Sequence, residues 1–432
     1  MNATSTRNVF TVRNFRLVFL GALVSELGAV MYSFAVGFYI LEISGNNAFL
    51  QGLYLAVCGG TALLMTPIGG VLGDRYRKAT IMFTCDYIKG GLILLAAPLM
   101  LLFPAYDAQL AILFTVGIIG NTISGIFTPA ASALLPHIVD EERLQQANAY
   151  FSIKNSLESI FGIVLAGILY AALPIHTLFM LVGVCFILSG VSEMFIRYEH
   201  RASQERLTLR LVWQDMKDGV VYLKGQKAIM ALMIITLFIN FFSTPIVNNF
   251  LPYFVKTDIA TAPGYLFDNW LTPELWSSVI IVIFGISSLI GAAVLSVRNQ
   301  RPKCGFRVSL LLCVMAALMI AVTAAYWLLV ASGNALNTFL ILFSLVFFMF
   351  GYILSEINIP VSTALMRAVA KDKLSKVNSI TSIFSQGLIP IASVLAGIVL
   401  QYSGSTSLLI MCTGGFTVTA LIMLFNRQVR EI

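Results

Sequence analysis

The chain has 432 residues, 58% of them apolar and only 11% charged, with a mean hydropathy of +0.89. This excludes a water-soluble globular domain, and long apolar runs from end to end indicate a polytopic α-helical membrane protein; a β-barrel would show short alternating strands instead. The net charge of +7 arises from Lys and Arg gathered in alternate loops, which is a topology signal and not a nucleic-acid surface.

Each span needs roughly 20 apolar residues. Twelve are expected, at about 15–41, 50–73, 79–103, 109–135, 149–173, 177–196, 228–255, 274–297, 306–330, 338–366, 377–401 and 406–426. Met1–Arg16 is polar and basic and leads straight into the first of them, so no cleavable signal peptide is expected. Basic residues cluster before the first span and after the second, fourth, sixth, eighth, tenth and twelfth. The intervening loops carry almost none, Lys256 excepted. Both termini are therefore expected on the cytoplasmic side of a cytoplasmic membrane.

The six cysteines (Cys58, Cys85, Cys185, Cys304, Cys313 and Cys412) are scattered, without a C-x-x-C pair, and read as apolar helix residues or cytosolic thiols. The three histidines, His137, His176 and His200, are too far apart to form a ligand cluster, so no metal site is expected. No cofactor is expected either.

Between the second and third spans lies Gly69–Thr80, GGVLGDRYRKAT, which passes from close-packing glycines to one acid and three bases. Further on, Arg197–Lys227 is the only long polar segment. Its stripe of Leu207, Leu211, Val212, Val220, Val221 and Leu223 predicts an amphipathic helix on the inner membrane surface. It would join an N-terminal six-helix bundle, residues 1–196, to a C-terminal one, residues 228–432. The two halves repeat at an offset of about 230 residues. Pro129-Ala-Ala-Ser-Ala-Leu with Arg143-Leu-Gln-Gln-Ala-Asn148 is echoed by Pro360-Val-Ser-Thr-Ala-Leu with Lys373-Leu-Ser-Lys-Val-Asn378, and Val164-Leu-Ala-Gly-Ile168 by Val394-Leu-Ala-Gly-Ile398. Duplicated bundles place a cavity near the bilayer midplane, a transporter's architecture. Asn148 and Asn378 are expected to open spans five and eleven, where an Asn side chain satisfies orphan N–H groups.

The loop Gly69–Thr80 resembles the signature between helices two and three of the major facilitator superfamily, with Gly70, Asp74, Arg75, Arg77 and Lys78 matching and one glycine of the signature missing. Within that superfamily the chain is similar to the branch of macrolide-efflux pumps and the enterobactin exporter. The likeness rests on Val24-Ser-Glu-Leu-Gly28, the Asp86/Lys89 pair, Pro129…Leu-Pro136-His-Ile-Val139 and Leu144…Ala-Asn148. The resemblance implies two pseudo-symmetric bundles of transmembrane helices. It also implies a gate in which Asp74 meets the start of span eleven near Asn378. Two positions depart from the proton-antiporter pattern: Ile163 follows Gly162 where that pattern has proline, and Asn121 stands where many proton-coupled members carry arginine.

An ionisable side chain at bilayer depth is costly and marks a functional candidate. Glu26 lies about 11 residues into span one, or about 16 Å deep at about 1.5 Å per residue, on a face shared with Ala22, Ala29 and Ser33. A small-residue face carrying one acid suits a water-filled cavity and proton coupling, or else a helix contact held by hydrogen bonds. Asp86 and Lys89, and likewise Lys154 and Glu158, are spaced to neutralise each other. Glu356 is expected to have no partner on its own helix, and it stands before Pro360, expected to kink span ten. It reads either as a protonation or substrate site or as a partner of the Asp74 loop. The candidate proton-coupling residues are thus Glu26, Glu356 and Asp86. The candidate substrate-cavity residues are Ser33, Asn121, Asn155, Asn240, Asn248 and Gln386. Phe-rich stretches such as Phe238–Phe242 and Phe347–Phe350 read first as packing or lipid-facing residues.

Aromatics, a few amides and one acid suit a bulky amphipathic, cationic small molecule. No G-x-x-x-x-G-K-[ST] motif occurs, so the drive is expected to be an ion gradient or the solute's own gradient. The expected function is export of such a compound, drug-like or siderophore-like, in exchange for protons, by a non-enzymatic monomer in the lipid bilayer. The rivals are a solute–proton symporter and a non-transporting membrane receptor or enzyme.

Overall fold

The structure is a computed structural model that describes residues 8–198, 227–262, 264–297, 305–332, 335–368, 381 and 383–425. Among them every regular element is helical, and eleven helices are long and apolar enough to cross a membrane. With no water in the bilayer core, only helices satisfy every backbone group within their own segment. The eleventh helix, Ile383–Phe425, runs 43 residues, or about 65 Å, twice a hydrocarbon core. Gly404, at φ 76°, breaks it into spans eleven and twelve, which makes twelve spans among the described residues.

The first six spans are Arg13–Ile43, Ala48–Gly70, Lys78–Leu102, Tyr106–Ile138, Ile153–Ala172 and Ile175–Met194. Spans seven to ten are Met233–Ile259, Pro273–Leu295, Phe306–Val330 and Leu336–Pro360. Span five starts earlier than its apolar run suggests: its helix opens at Glu141 behind Asp140, which has extended backbone. Asn148 therefore lies a full two turns inside, which corrects its expected place at the helix start. The charged first turns read as loop in sequence because they stand outside the apolar stretch. Asn378 and most of the linker 197–227 lie outside the described residues. Pro360 is inside the helix Leu336–Ala368.

The chain divides into two compact units, one of residues 1–39 with 57–209 and one of residues 40–56 with 210–432. In the first, spans three and six pack along their length, at a glycine pair. A Cβ on Gly90 would lie 2.9 Å from the Gly183 carbonyl oxygen, so the backbones approach as only glycine allows. At one end of this unit a short 3₁₀ turn, Val9–Thr11, is capped by Asn8 and packs Val9 against Phe15, Met82, Leu134 and Ile138. Rings of Phe10, Phe15, Phe19, Tyr150 and Phe151 meet edge-on around it.

The second unit repeats the pairing. Spans nine and twelve pack as three and six do, and spans eight and ten meet where Gly351 lies against the Phe284 carbonyl. Its core is a herringbone of Phe250, Phe254, Tyr326, Phe339 and Phe343. Phe347 and Phe350 are buried beside it, while Phe238 and Phe348 are exposed. The Phe-rich stretches thus divide between packing and outer faces at helical spacing.

Candidate functional site

The first unit contains a cavity of about 770 Å³. Its apolar wall is built by Val18, Ala22, Ala29 and Val30 of span one, Ile123 and Phe127 of span four, Phe151 of span five and Phe186 of span six. Its charged lining is Glu26, Asp86, Lys89, Lys154 and Glu158, and Asn155 adds an amide.

Span five sets the centre of this wall. Lys154 and Glu158 are one helical turn apart and ion-paired at 3.1 Å, as their spacing predicts. At Glu158 the helix changes to a π turn, Glu158–Gly162, before resuming as Ile163–Ala172. The π turn ends at Gly162, the glycine of the antiporter pattern's Gly-Pro, and such turns concentrate at functional sites. Beside it Gly162 lets span one approach, since a Cβ there would lie 3.3 Å from Leu27 and Val30 side-chain atoms. That approach brings Glu26 to Lys154, whose Nζ donates to the Glu26 carboxylate and sits 5.6 Å from the centre of the Phe151 ring.

Glu26 is therefore not a solitary acid. Its partner comes from another helix, and 45% of its side chain is exposed, against 1% for Lys154. The acid expected on a small-residue face is half open to the cavity and held by a buried lysine of another span. Asp86 and Lys89 also depart from expectation. Lys89 Nζ donates to Ser124 Oγ at 2.8 Å and lies 4.6 Å from the centre of the Phe186 ring, and it makes no ion pair with Asp86 within 4 Å. A hydroxyl and an aromatic face on neighbouring spans outcompete an i,i+3 carboxylate on the same helix.

Of the other cavity candidates, only Asn155 lines this space. Asn121 donates to the Gly117 carbonyl of its own helix at 2.9 Å, and Ser33 is exposed away from the cavity. Asn240, Asn248 and Gln386 belong to the second unit. There Asn240 donates to the Ser385 carbonyl at 3.1 Å, and the Asn248 carbonyl accepts from Gln51.

Glu356 is buried and paired with Arg307 of span nine, and it accepts from Tyr352 of its own helix at 3.2 Å. This corrects the expectation of an acid without same-helix support. Lys256, the basic exception among the loops, meets Glu274 at 3.0 Å and Glu42 at 3.2 Å, which balances its charge locally.

In the loop motif, Arg77 donates to the Ile196 carbonyl at 2.7 Å and stacks over Tyr198, and the Lys78 N–H donates to the Tyr198 hydroxyl at 2.7 Å. The motif thus ties the start of span three to the end of span six. A Cβ on Gly70 meets nothing within 4 Å. Asp74 and Arg75 end the helix Ala48–Arg75, and their side chains lie outside the described residues.

Sequence reasoning did not single out Ser124, Phe127, Phe151, Phe186, Arg307 or Glu193. Glu193 alone carried a clear signal: it is an isolated acid in an otherwise uncharged span, fully buried.

Residues 18–392 match the family described as Major Facilitator Superfamily. Among curated proteins the chain is 22% identical to the uncharacterized MFS-type transporter YkuC of Bacillus subtilis (strain 168), over 76% of this chain and 75% of that one. It is 24% identical to macrolide efflux protein A of Streptococcus pyogenes, over 71% and 78%. It is 30% identical to the enterobactin exporter EntS of Shigella boydii serotype 4 (strain Sb227), over 36% and 37%. Among solved structures, the nucleoside transporter NupG superposes with a TM-score of 0.75 at 13% identity, over 96% of this chain and all (100%) of that one.

Proposed function

The chain belongs to the major facilitator superfamily, a multi-pass membrane family whose relatives here are transporters, and on that premise we propose that it exports a bulky amphipathic cation in exchange for protons. The observation that carries the reading is the half-open Glu26 carboxylate on the wall of an otherwise largely apolar, aromatic cavity, held in place by the buried Lys154. A hydrophobic cation places its apolar body against Phe127, Phe151 and Phe186 and its charge at Glu26.

Exchange follows from competition for one carboxylate. In the substrate-bound state the cation neutralises Glu26; when it leaves, a proton or Lys154 takes its place. Because each ligand favours the state in which it finds Glu26 accessible, the binding difference between states drives alternation. The outward direction is supported by the relatives named for macrolide efflux and enterobactin export. In this reading, which the basic loops support, the cytoplasmic face of the cytoplasmic membrane carries both termini and residues 197–227. They join N- and C-terminal bundles of residues 1–196 and 228–432, with Asp74 gating the cytoplasmic side.

A panel of fluorescent dyes, cationic, neutral and anionic, loaded into everted vesicles under an imposed pH gradient tests the reading. Vesicles containing the protein accumulate cationic dyes when the lumen is acidic, and collapse of the gradient releases them. Preference for anionic dyes, or accumulation driven by the opposite gradient, refutes it.

A further inference from the structure

Next to Asp86 of the cavity wall, spans one, three and six enclose a further acid, Glu193. The Gly90–Gly183 contact brings spans three and six together, and a Cβ on Gly190 would meet the Tyr87 ring at 3.0 Å. Asp86 of span three thereby comes level with Ser189 and Glu193 of span six. Span one completes the enclosure at Gly21, where a Cβ would lie 3.3 Å from Ser189 Oγ and 3.4 Å from Glu193 Cγ. Glu193 is 0% exposed and Asp86 3%.

Among the described residues neither carboxylate oxygen of Glu193 has a hydrogen-bond partner, nor does Asp86 Oδ2. The neighbouring cations are engaged elsewhere, Lys154 with Glu26 and Glu158, and Lys89 with Ser124 and Phe186. The titratable and charged groups facing the pair are Cys85 and Lys89 of span three and Glu26 of span one. A carboxylate buried without a partner is strongly disfavoured against its protonated form.

We propose that Glu193, with Asp86 beside it, is a proton-binding site of the first unit, loaded in the conformation described and emptied when the packing of spans one, three and six opens to water. On release the Glu193 O–H bond breaks and the proton passes to water, leaving the electron pair on the carboxylate. The site deepens the proton-coupled reading and rests on it only for what the proton is used to drive.

Infrared difference spectroscopy of the purified protein in lipid nanodiscs, without substrate, tests this directly. At neutral pH the wild type shows the carbonyl stretch of a protonated, weakly hydrogen-bonded carboxyl; Glu193→Gln removes that band and Asp86→Asn shifts it. A band of wild-type intensity and position in both variants overturns the proposal. Thermal unfolding supplies a second readout: Glu193→Gln, which keeps the shape of a neutral carboxyl, melts at or above the wild-type temperature. If Glu193→Gln is instead destabilised at every pH and Lys89→Met restores it, Glu193 is an ionised partner and the proposal fails. Presence of the band with no gradient-driven dye transport by the wild type refutes the transport reading alone. Its persistence in Glu193→Gln with normal transport refutes the proton site alone.

Discussion

Lys154 on span five donates to Glu26 on span one across the interface that Gly162 opens, so the most exposed acid of the cavity is held by its most buried base. The same ammonium also holds Glu158, one turn along its own helix. One cation thus orients two carboxylates, and whatever binds Glu26 must compete with it.

Lys154→Met leaves Glu26 and Glu158 without their shared base. Removing one member of a buried ion pair costs about 3–5 kcal/mol, because the remaining charge stays desolvated. The variant should melt well below wild type in detergent. The double variant Lys154→Met/Glu158→Gln should recover most of that loss, since Glu26 remains half open to solvent. Equal melting temperatures for wild type and single variant would mean the cluster is solvated in solution.

Gly90→Val tests the glycine contact that aligns spans three and six. Overpacking costs about 1–3 kcal/mol in a close-packed core, and here the obstacle is the Gly183 backbone, which cannot rotate away. Gly91→Val is the control, since a Cβ there meets nothing within 4 Å. The first variant should express and melt poorly and the second should resemble wild type; equal behaviour would contradict the contact.

The architecture was legible in the sequence because bilayer thickness writes itself into run length, and helix period writes the Lys154–Glu158 pair into a four-residue spacing. What crosses between helices was not. Glu26 and Lys154 lie 128 residues apart, and Arg307 and Glu356 49 apart, and neither separation follows from a single helix's periodicity. Lys89 illustrates the opposite error: its spacing to Asp86 allows an ion pair, but Ser124 and Phe186 on other spans offer better partners. The amide candidates failed for a simpler reason. Asn121 and Asn240 bond to carbonyls on spans four and eleven, which leaves those amides committed to helix packing.

The inside–outside assignment is checked with single cysteines in a background free of the native six. Tyr76, in the turn between spans two and three, is 60% exposed, and Thr261, after span seven, is also exposed. In intact cells an impermeant maleimide should label Thr261→Cys and spare Tyr76→Cys, with both labelled after permeabilisation. The reverse pattern would invert the topology.

Glu26→Gln keeps the size of the side chain and removes its charge, and so isolates the step on which proton-coupled export depends. In everted vesicles with an acidic lumen, accumulation of a cationic dye is followed for wild type and variant at matched protein levels. The wild type should concentrate the dye against its gradient, while Glu26→Gln should at most equilibrate it and lose the response to the pH gradient. Accumulation by Glu26→Gln to the wild-type level, with the same dependence on the imposed gradient, would show that Glu26 is neither the cation's anchor nor its point of exchange with protons.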